Sequence, residues 1–359
     1  MALYLFQGEP RKDTLVSLTL GIESSCDETA VALLEGPRKV LINLIQSQEK
    51  IHSPYGGIVP EIASRCHIEV ILPLIDKALK ETRTGFKDLT GIAVTTTPGL
   101  IGSLLVGLSV AKAISYAHDI PFIGVNHLEG HLNAPFLEYP DIPYPHLGLM
   151  VSGGHTALFY ITGFGHYQFL GATRDDAAGE AFDKIAKLVH LGYPGGPVVD
   201  QRARKGDPHK IKFPQGKVRG SPMDFSFSGL KTAVLQHVQK NQALYEDSQG
   251  PVIDDLCASV QEAIVQALLA RCESARATKK CQTLVVTGGV ACNQYLRKVF
   301  NQWGQENEMA VYYPSLLLCT DNAAMIASVG ARHLAEGKRS SMTLNAVAHR
   351  PLTEPLPVE

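Results

Sequence analysis

Residues 17–34, SLTLGIESSCDETAVALL, decide the fold. Apolar, β-rich segments flank the polar segment ESSCDET, a pattern that predicts two strands joined by a tight turn. Residues 146–162, HLGLMVSGGHTALFYIT, repeat this order with a glycine-rich turn, and strands alternating with helices follow each copy. The sequence therefore predicts an α/β fold of two duplicated lobes with a central cleft. One large doubly wound sheet is the alternative that fits the same pattern.

The length and composition fit two globular domains. A chain of 359 residues is too long for one small core, and 45% hydrophobic with 19% charged residues argues against disorder. We predict an extension at residues 1–16, a first lobe at 17–135 and a second lobe at 136–320. Residues 321–359 are predicted to form a helix that returns to the lobe interface, followed by a tail.

Charge, cysteine content and hydropathy indicate which partners and which cellular compartment to expect. The net charge of −2 gives no overall electrostatic basis for binding nucleic acid. The seven cysteines include no C-x-x-C pair, so a reducing compartment is a simpler explanation than a disulfide framework. The N-terminus has no signal-peptide pattern, and no apolar run is long enough to span a bilayer. We therefore predict a cytoplasmic protein with no membrane partner.

A pair of histidines is the first candidate for metal binding. His127 and His131 are four residues apart in the predicted short helix HLEGHLNAPF, so their imidazoles share one face. Two ordinary surface or core histidines fit the same spacing. Glu129 stands one position too late for the H-E-x-x-H motif of zinc proteases. Asp321, at the start of the predicted last helix, would complete a set suited to Fe(II) or Zn(II), unless it serves as a helix cap.

Glycine-rich turns point to a second kind of site in the second half of the chain. Glycine lets the backbone approach a ligand closely and present N–H groups to a phosphate or carboxylate. Each turn alone also fits an ordinary connection, but three together favour a nucleotide pocket. Asp183 and Asp200 flank the second turn, where they would bind ribose hydroxyls or simply face solvent. The three turns are Ser152-Gly153-Gly154-His155, Gly195-Gly196-Pro197 and Gly288-Gly289.

A basic segment is the local candidate for contact with RNA. Seven Lys and Arg residues fall within residues 202–219, with Phe213 among them. Such a cluster is typical of a surface that binds a nucleic-acid backbone. A solvated loop is the equally weighted alternative.

Ten motifs in this chain carry a resemblance to a known family. The chain is similar to bacterial-type members of the tRNA N6-adenosine threonylcarbamoyltransferase family, formerly called O-sialoglycoprotein endopeptidase. The resemblance runs over residues 18–333, although Ala323 stands where family members often have glycine. The motifs are GIESSCDETAVAL, YGGIVPEIASRCH, TTTPGLIGSLLVG, NHLEGHL, LMVSGGHT, DDAAGEAFDKIAK, YPGGP, FSFSGLKTA, VTGGVACNQYLR and DNAAMIA.

This resemblance implies a fold and a set of site residues. The fold would be the duplicated actin-like fold that sugar kinases and heat-shock ATPases share. A single divalent ion, Fe²⁺ or alternatively Zn²⁺, would be bound by His127, His131 and Asp321. The implied nucleotide or acyl-adenylate pocket is lined by Met150, Val151, Ser152, Gly153, Gly154, Asp183, Gly196, Asp200 and Asn293.

The resemblance also implies a reaction and partners. The enzyme would be an acyltransferase that moves a threonylcarbamoyl group from threonylcarbamoyl-AMP to N6 of adenine 37 in tRNAs reading codons that begin with A. Asp27 or Glu28, in the first hairpin turn, would relay the proton that leaves N6. The implied partners are tRNA, a paralogous actin-fold subunit and a small P-loop ATPase.

Three other functions fit parts of the sequence. A metalloprotease rests on the histidine pair alone, and the offset of Glu129 argues against it. A sugar-kinase-like ATPase would share the fold but would phosphorylate a small hydroxylated substrate. A non-catalytic nucleotide-binding scaffold would have no need for the two histidines and Asp321.

Overall fold

A computed structural model describes residues 17–245, 250–354 and 357–358. The predicted extension at residues 1–16 therefore lies outside the described residues. Contacts divide the chain into two compact units. The first holds the described residues up to His52, Ile58–Asp141 and the residues from Asp321 onward, whereas the second holds Ser53–Gly57 and Ile142–Thr320. This division rests on contacts within the chain, and the domain limits given above from the sequence remain predictions.

The first unit is built on a five-stranded sheet. Its strands are β1 (Leu18–Glu23), β2 (Glu28–Glu35), β3 (Lys39–Ser47), β4 (Gly91–Thr97) and β5 (Phe122–Asn126). Their order is β3-β2-β1-β4-β5. The predicted hairpin is confirmed, because β1 and β2 pair antiparallel from Leu18↔Glu35 to Glu23↔Ala30. Strands β4 and β5 run parallel to β1, so their carboxyl ends lie at the edge where the hairpin turns.

Helices cover this sheet. They are α1 (Glu49–His52), α2 (Pro60–Thr82), α3 (Ile101–His118) and α4 (His127–Asn133). Buried residues of α2 and α3 share one hydrophobic core with β1, β2 and β4. Helix α3 is long and apolar enough to cross a membrane, but this is weak evidence, because core helices pass the same test and α3 packs on α2 and β4.

The second unit repeats the architecture of the first. Its strands are β6 (His146–Val151), β7 (Thr156–Gly163), β8 (His166–Ala172), β9 (Thr283–Thr287) and β10 (Ala310–Tyr312). The order β8-β7-β6-β9-β10 has an antiparallel hairpin followed by two parallel strands, as in the first sheet. Its helices are α5 (Ala178–Leu188), α6 (Gly195–Ala203), α7 (Ser228–Lys240), α8 (Pro251–Thr278), α9 (Gln294–Glu306) and α10 (Leu316–Cys319).

The last helix, α11 (Ala323–Ala335), belongs to the first unit, where it packs on β1, β2 and β4. Small residues allow α11 to lie close to the strands of the sheet. A Cβ atom added at Gly330 would lie 2.2 Å from the Ala93 Cβ, and one at Gly21 would lie 2.4 Å from the Ala323 carbonyl oxygen. The chain therefore begins and ends its described structure in the same unit.

The structure confirms the duplicated α/β fold and excludes a single large sheet for the part of the chain that it describes. Strands β3, β8 and β10 and helix α7 were not predicted from the sequence. The residues Gly195, Gly196 and Pro197, predicted as a glycine-rich turn, instead form the start of α6.

Candidate functional site

The histidine pair lies on a short, wholly buried helix in the first unit. Strand β5 ends at Asn126, whose side chain accepts a hydrogen bond from the Leu128 backbone N–H at 2.9 Å and so caps α4. His127 and His131 lie one helical turn apart, and their ring centroids are 4.7 Å from each other. Both imidazoles are buried, which rules out the alternative of two surface histidines.

Asp321 joins the two histidines from a distant part of the chain. Its Oδ1 lies 3.0 Å from the His131 Nε2 and 3.4 Å from the His127 Nε2. The three ligand atoms all lie within 4.8 Å of one another. The capping role considered for Asp321 belongs instead to Asn322, whose side chain accepts a hydrogen bond from the Met325 N–H at 3.0 Å. The Asp321 carboxylate is thus turned towards the two imidazoles.

A buried carboxylate orients the first histidine. Glu23, the last residue of β1, places its Oε2 3.0 Å from the His127 Nδ1. The Thr95 hydroxyl donates to Oε2 at 2.5 Å, and the Ser25 N–H donates to Oε1 at 2.6 Å. With Nδ1 held by Glu23, the Nε2 of His127 is left facing Asp321. Sequence reasoning missed this role for Glu23, because only the end of β1 marks its position.

The electrostatics of the cluster follow from these contacts. Burial opposes the charge of the His127 imidazolium, but the negative charges of Asp321 and Glu23 outweigh it and raise its pKa well above the usual value. Burial also opposes the charge of Asp321, yet the His127 charge holds the Asp321 pKa well below its ordinary range. Two imidazole nitrogens and one carboxylate oxygen suit a divalent Fe or Zn ion, so the donor set fits a metal.

The first hairpin turn lies beside this cluster. Burial, followed by the charges of Asp321 and Asp27, raises the pKa of the Glu28 carboxyl well above its usual value. A helix of the same unit holds the turn: the His67 ring of α2 is 2.9 Å from the Cys26 carbonyl oxygen and 2.7 Å from the Thr29 hydroxyl. The structure therefore brings the predicted proton-relay residues and the three predicted metal ligands into one neighbourhood.

The glycine turn after β6 is the centre of the predicted nucleotide pocket in the second unit. A Cβ atom added at Gly153 or Gly154 would meet nothing within 4 Å, so the turn faces open space. Gly179 of α5 packs against its other side and donates its N–H to the Ser152 carbonyl at 3.1 Å. The Met150 and Val151 side chains are fully buried, so a ligand would meet these two residues through the backbone.

Two of the predicted aspartates make local structural contacts. Asp183 accepts a hydrogen bond from the Gly195 N–H at 2.7 Å and so holds the first turn of α6. Asp200 Oδ2 accepts from Arg204 at 2.7 Å, whereas its Oδ1 is buried and has no hydrogen-bond partner among the described residues. A Cβ atom at Gly196 would meet nothing within 4 Å, which leaves room in front of this turn.

The turn after β9 lies beside the turn after β6. Gly288 adopts a φ of 93°, and a Cβ atom there would be 2.4 Å from the Val151 carbonyl oxygen. Asn293 caps α9 by accepting from the Leu296 N–H at 2.8 Å, and its amide donates to Gln261 at 2.7 Å. The ends of β6 and β9 therefore converge, and Asn293 lies just beyond the second of them.

Two sheets of identical strand order define the class of this protein, the duplicated actin-like α/β fold. Solved structures share it. Component A of the (R)-2-hydroxyglutaryl-CoA dehydratase of Acidaminococcus fermentans aligns with a TM-score of 0.52 and 15% identity over 89% of this chain and 99% of that one. Full-length HypF aligns with a TM-score of 0.58 and 13% identity over 89% and 56%. Likenesses at this level of identity show the fold alone.

The chain belongs to the tRNA N6-adenosine threonylcarbamoyltransferase family, whose sequence model matches residues 39–328. Proteins of that name are 51% identical in Anaeromyxobacter dehalogenans strain 2CP-C, over 91% of this chain and 97% of the relative, and 47% identical in Clostridioides difficile strain 630, over 92% and 97%. The protein is accordingly a transferase that forms threonylcarbamoyladenosine in tRNA. These relatives do not favour a metalloprotease or a sugar-kinase-like ATPase.

Proposed function

We propose that this enzyme uses threonylcarbamoyl-AMP as donor, modifies N6 of adenine 37 in tRNAs that read codons beginning with A, and holds Fe²⁺ or Zn²⁺ between His127, His131 and Asp321. The observation that supports the metal site most strongly is the convergence of three ligand atoms with Glu23 fixed behind His127. A carboxylate on the second imidazole nitrogen is the usual support for a histidine that binds a metal.

The reaction joins N6 of adenine to the carbamoyl carbon and breaks the bond from that carbon to the phosphate oxygen of AMP. AMP is a good leaving group, so placing the two reactants and stabilising charge supply most of the acceleration. A bound divalent ion would supply Lewis acidity and an anchoring charge for the threonylcarbamoyl moiety. The residues of this chain fix the two imidazoles, through Glu23 and the Asn126 cap.

A base must accept the proton that leaves N6. We propose Glu28 for this role, with Asp27 as the second candidate. Burial and the charges of Asp321 and Asp27 raise the pKa of the Glu28 carboxyl, which makes its carboxylate a stronger base. His67 holds the backbone of this turn and would keep the carboxyl in position.

The glycine turns of the second unit would bind the adenylate. The Ser152 N–H already donates to the His155 carbonyl at 2.8 Å, so we propose the N–H groups of Gly153 and Gly154 for the phosphate. Met150 and Val151 would contribute their backbone atoms to this proposed pocket. The other residues proposed to line it are Asp183, Gly196, Asp200 and Asn293. Asp200, with one buried oxygen that lacks a partner among the described residues, is the best candidate for a ribose hydroxyl.

We infer a cytoplasmic enzyme that works with a paralogous actin-fold subunit and a small P-loop ATPase. Because the chain has a net charge of −2, it does not offer a strongly basic surface of its own. This supports an assembly in which several subunits together bind the tRNA.

Nucleoside analysis tests the proposed function. The protein, with its proposed partners, threonylcarbamoyl-AMP and unmodified tRNA, should yield threonylcarbamoyladenosine on mass spectrometry. His127→Ala should abolish the product because it removes a metal ligand, whereas His166→Ala, at an exposed histidine of the second unit, should leave it unchanged. Undiminished product with His127→Ala would contradict the proposed site, and no product with the wild type would contradict the proposed donor.

A further inference from the structure

The segment between α6 and α7 is an ordered loop with a cationic outer face. We call residues 204–219 the basic strap; the structure describes all of them and assigns none to a helix or strand. Side chains of α8 hold its backbone. The Asp207 N–H donates to Asp255 at 2.8 Å, and the Ile211 N–H donates to the Ser259 hydroxyl at 3.1 Å.

A buried arginine fastens the far end of the basic strap. Arg271 of α8 is 5% exposed, and its guanidinium donates to the carbonyl oxygens of Gln215, Gly216 and Asp224. The segment is therefore built into the second unit at both ends. A loop held in this way loses little conformational freedom when a ligand binds to it.

The side chains of the basic strap are sorted by polarity. Ile211 and Phe213 pack against the core of the second unit, whereas Lys210 and Lys212, in the alternate positions, are exposed. The Phe213 ring also lies 5.8 Å from the His237 ring. Phe213 is thus a partly buried packing residue of the second unit.

The basic strap carries more cationic side chains without an ion-pair partner than acidic side chains. Two arginines near its start are neutralised: Arg202, on α6, pairs with Asp254, and Arg204 pairs with Asp200, each at 2.7 Å. Five further cations are exposed and make no ion pair among the residues that the structure describes: Lys205, Lys210, Lys212, Lys217 and Arg219. Asp207 is the single acidic residue of the segment.

We propose that the outer face of the basic strap binds the phosphate backbone of tRNA. Unpaired cations on an ordered loop, within a chain of net charge −2, mark a local polyanion site. Because Phe213 faces inward, recognition here is by charge and carries no base preference. This inference deepens the proposed function and rests on it, since it assigns the tRNA contact of the same enzyme.

The test compares two double variants with equal loss of charge. Lys210→Gln/Lys212→Gln removes two strap cations, and Lys280→Gln/Lys298→Gln removes two exposed lysines of the same unit. Fluorescence anisotropy with labelled tRNA, over a range of salt concentrations, gives the affinity and its salt slope. The strap variant should bind more weakly, with a log–log slope shallower by about 0.7–0.9 for each phosphate that it no longer neutralises. Its KM for tRNA should rise while kcat is kept.

The outcomes separate this inference from the proposed function. A salt slope and KM that stay unchanged in the strap variant, or that change equally in the lysine control, would overturn the inference while wild-type activity still supported the function. An unrelated RNA of equal length should compete equally well at the strap. Weakened binding of anionic lipid vesicles with unaltered tRNA binding would also overturn the inference, because it would assign the surface to a membrane.

Discussion

Glu23 and the residues around it show, at the scale of single side chains, what a sequence can and cannot reveal. The face shared by His127 and His131 was predictable, because the helical repeat alone fixes positions four apart. The place of Glu23 behind His127 was not, because it depends on β1, β4 and β5 ending side by side. No local pattern carries that information. The inward packing of Phe213 escaped the sequence for the same reason.

The first prediction concerns this carboxylate. Glu23→Gln should weaken metal binding by about 10–100-fold, because the neutral amide no longer orients and polarises the His127 ring. Equilibrium dialysis followed by metal analysis measures the affinity. Glu35→Gln, in the same hairpin but paired with Lys39 at the surface, is the matched control and should bind metal normally. Equal affinity in the two variants would argue against the role of Glu23.

The second prediction concerns pH. Metal binding needs neutral imidazoles, so the proton and the ion compete for His127. The charges of Asp321 and Glu23 raise the pKa of His127 against the effect of burial, so the metal-free protein keeps this proton to a higher pH than an ordinary histidine would. Affinity should therefore fall as the pH is lowered, by up to about tenfold per pH unit for one released proton.

Measuring the dissociation constant of the metal across pH checks this sign. In Glu23→Gln one of the two charges that raise the His127 pKa is gone, so the steep part of the curve should move to lower pH. A curve that stays in place, or an affinity that does not change with pH, would show that His127 does not titrate with metal binding.

At the scale of elements, the sequence predicted those that have a strong pattern. Both hairpins follow from apolar, β-rich segments that flank a polar or glycine-rich turn. Strand β3 was missed because its residues are mostly half-buried and it follows β2 after a short turn. Gly195 and Gly196 suggested a loop, but Asp183 supplies the hydrogen bond that starts α6 there. Contacts with distant parts of the chain, and not local sequence patterns, thus determine that β3 and the start of α6 form.

The third prediction concerns the packing of α11 on the first sheet. In Gly330→Ala the added methyl group would overlap Ala93, and overpacking costs about 1–3 kcal/mol, whereas alanine favours a helix by about 1 kcal/mol. We expect a net decrease of up to about 2 kcal/mol in the free energy of unfolding, and weaker metal binding because Asp321 precedes this helix.

Chemical denaturation with and without metal measures both effects. Gly229→Ala on α7 is the control, because a Cβ atom there meets nothing within 4 Å, and it should be neutral or slightly stabilising. An unchanged unfolding free energy in Gly330→Ala would mean that α11 shifts without cost.

At the scale of the whole molecule, each unit has its own sheet and core, and the three proposed ligands all belong to the first unit. Metal at about 100 times its dissociation constant should stabilise the state that binds it by about 2.7 kcal/mol. The fourth prediction is that this gain protects amide hydrogens of α4 and α11 from exchange. The unfolding midpoint reported by Trp303, the single tryptophan, in the second unit, should stay in place.

Hydrogen exchange read by mass spectrometry and tryptophan fluorescence supply the two readouts. If metal moved the Trp303 midpoint as far as it slows exchange in α4, the two units would unfold as one cooperative body.

The return of α11 to the first unit has a consequence for how the protein is made. Residues of β1, α4 and β5 leave the ribosome early, but Asp321 and α11 are synthesised only after the whole second unit. Until then, the sheet face that α11 covers stays exposed in the nascent first unit. His127 and His131 also lack the carboxylate of Asp321 during this time. A polypeptide released before residue 321 would lack one of the three proposed ligands, so the proposed site can be completed only after the second unit has been synthesised.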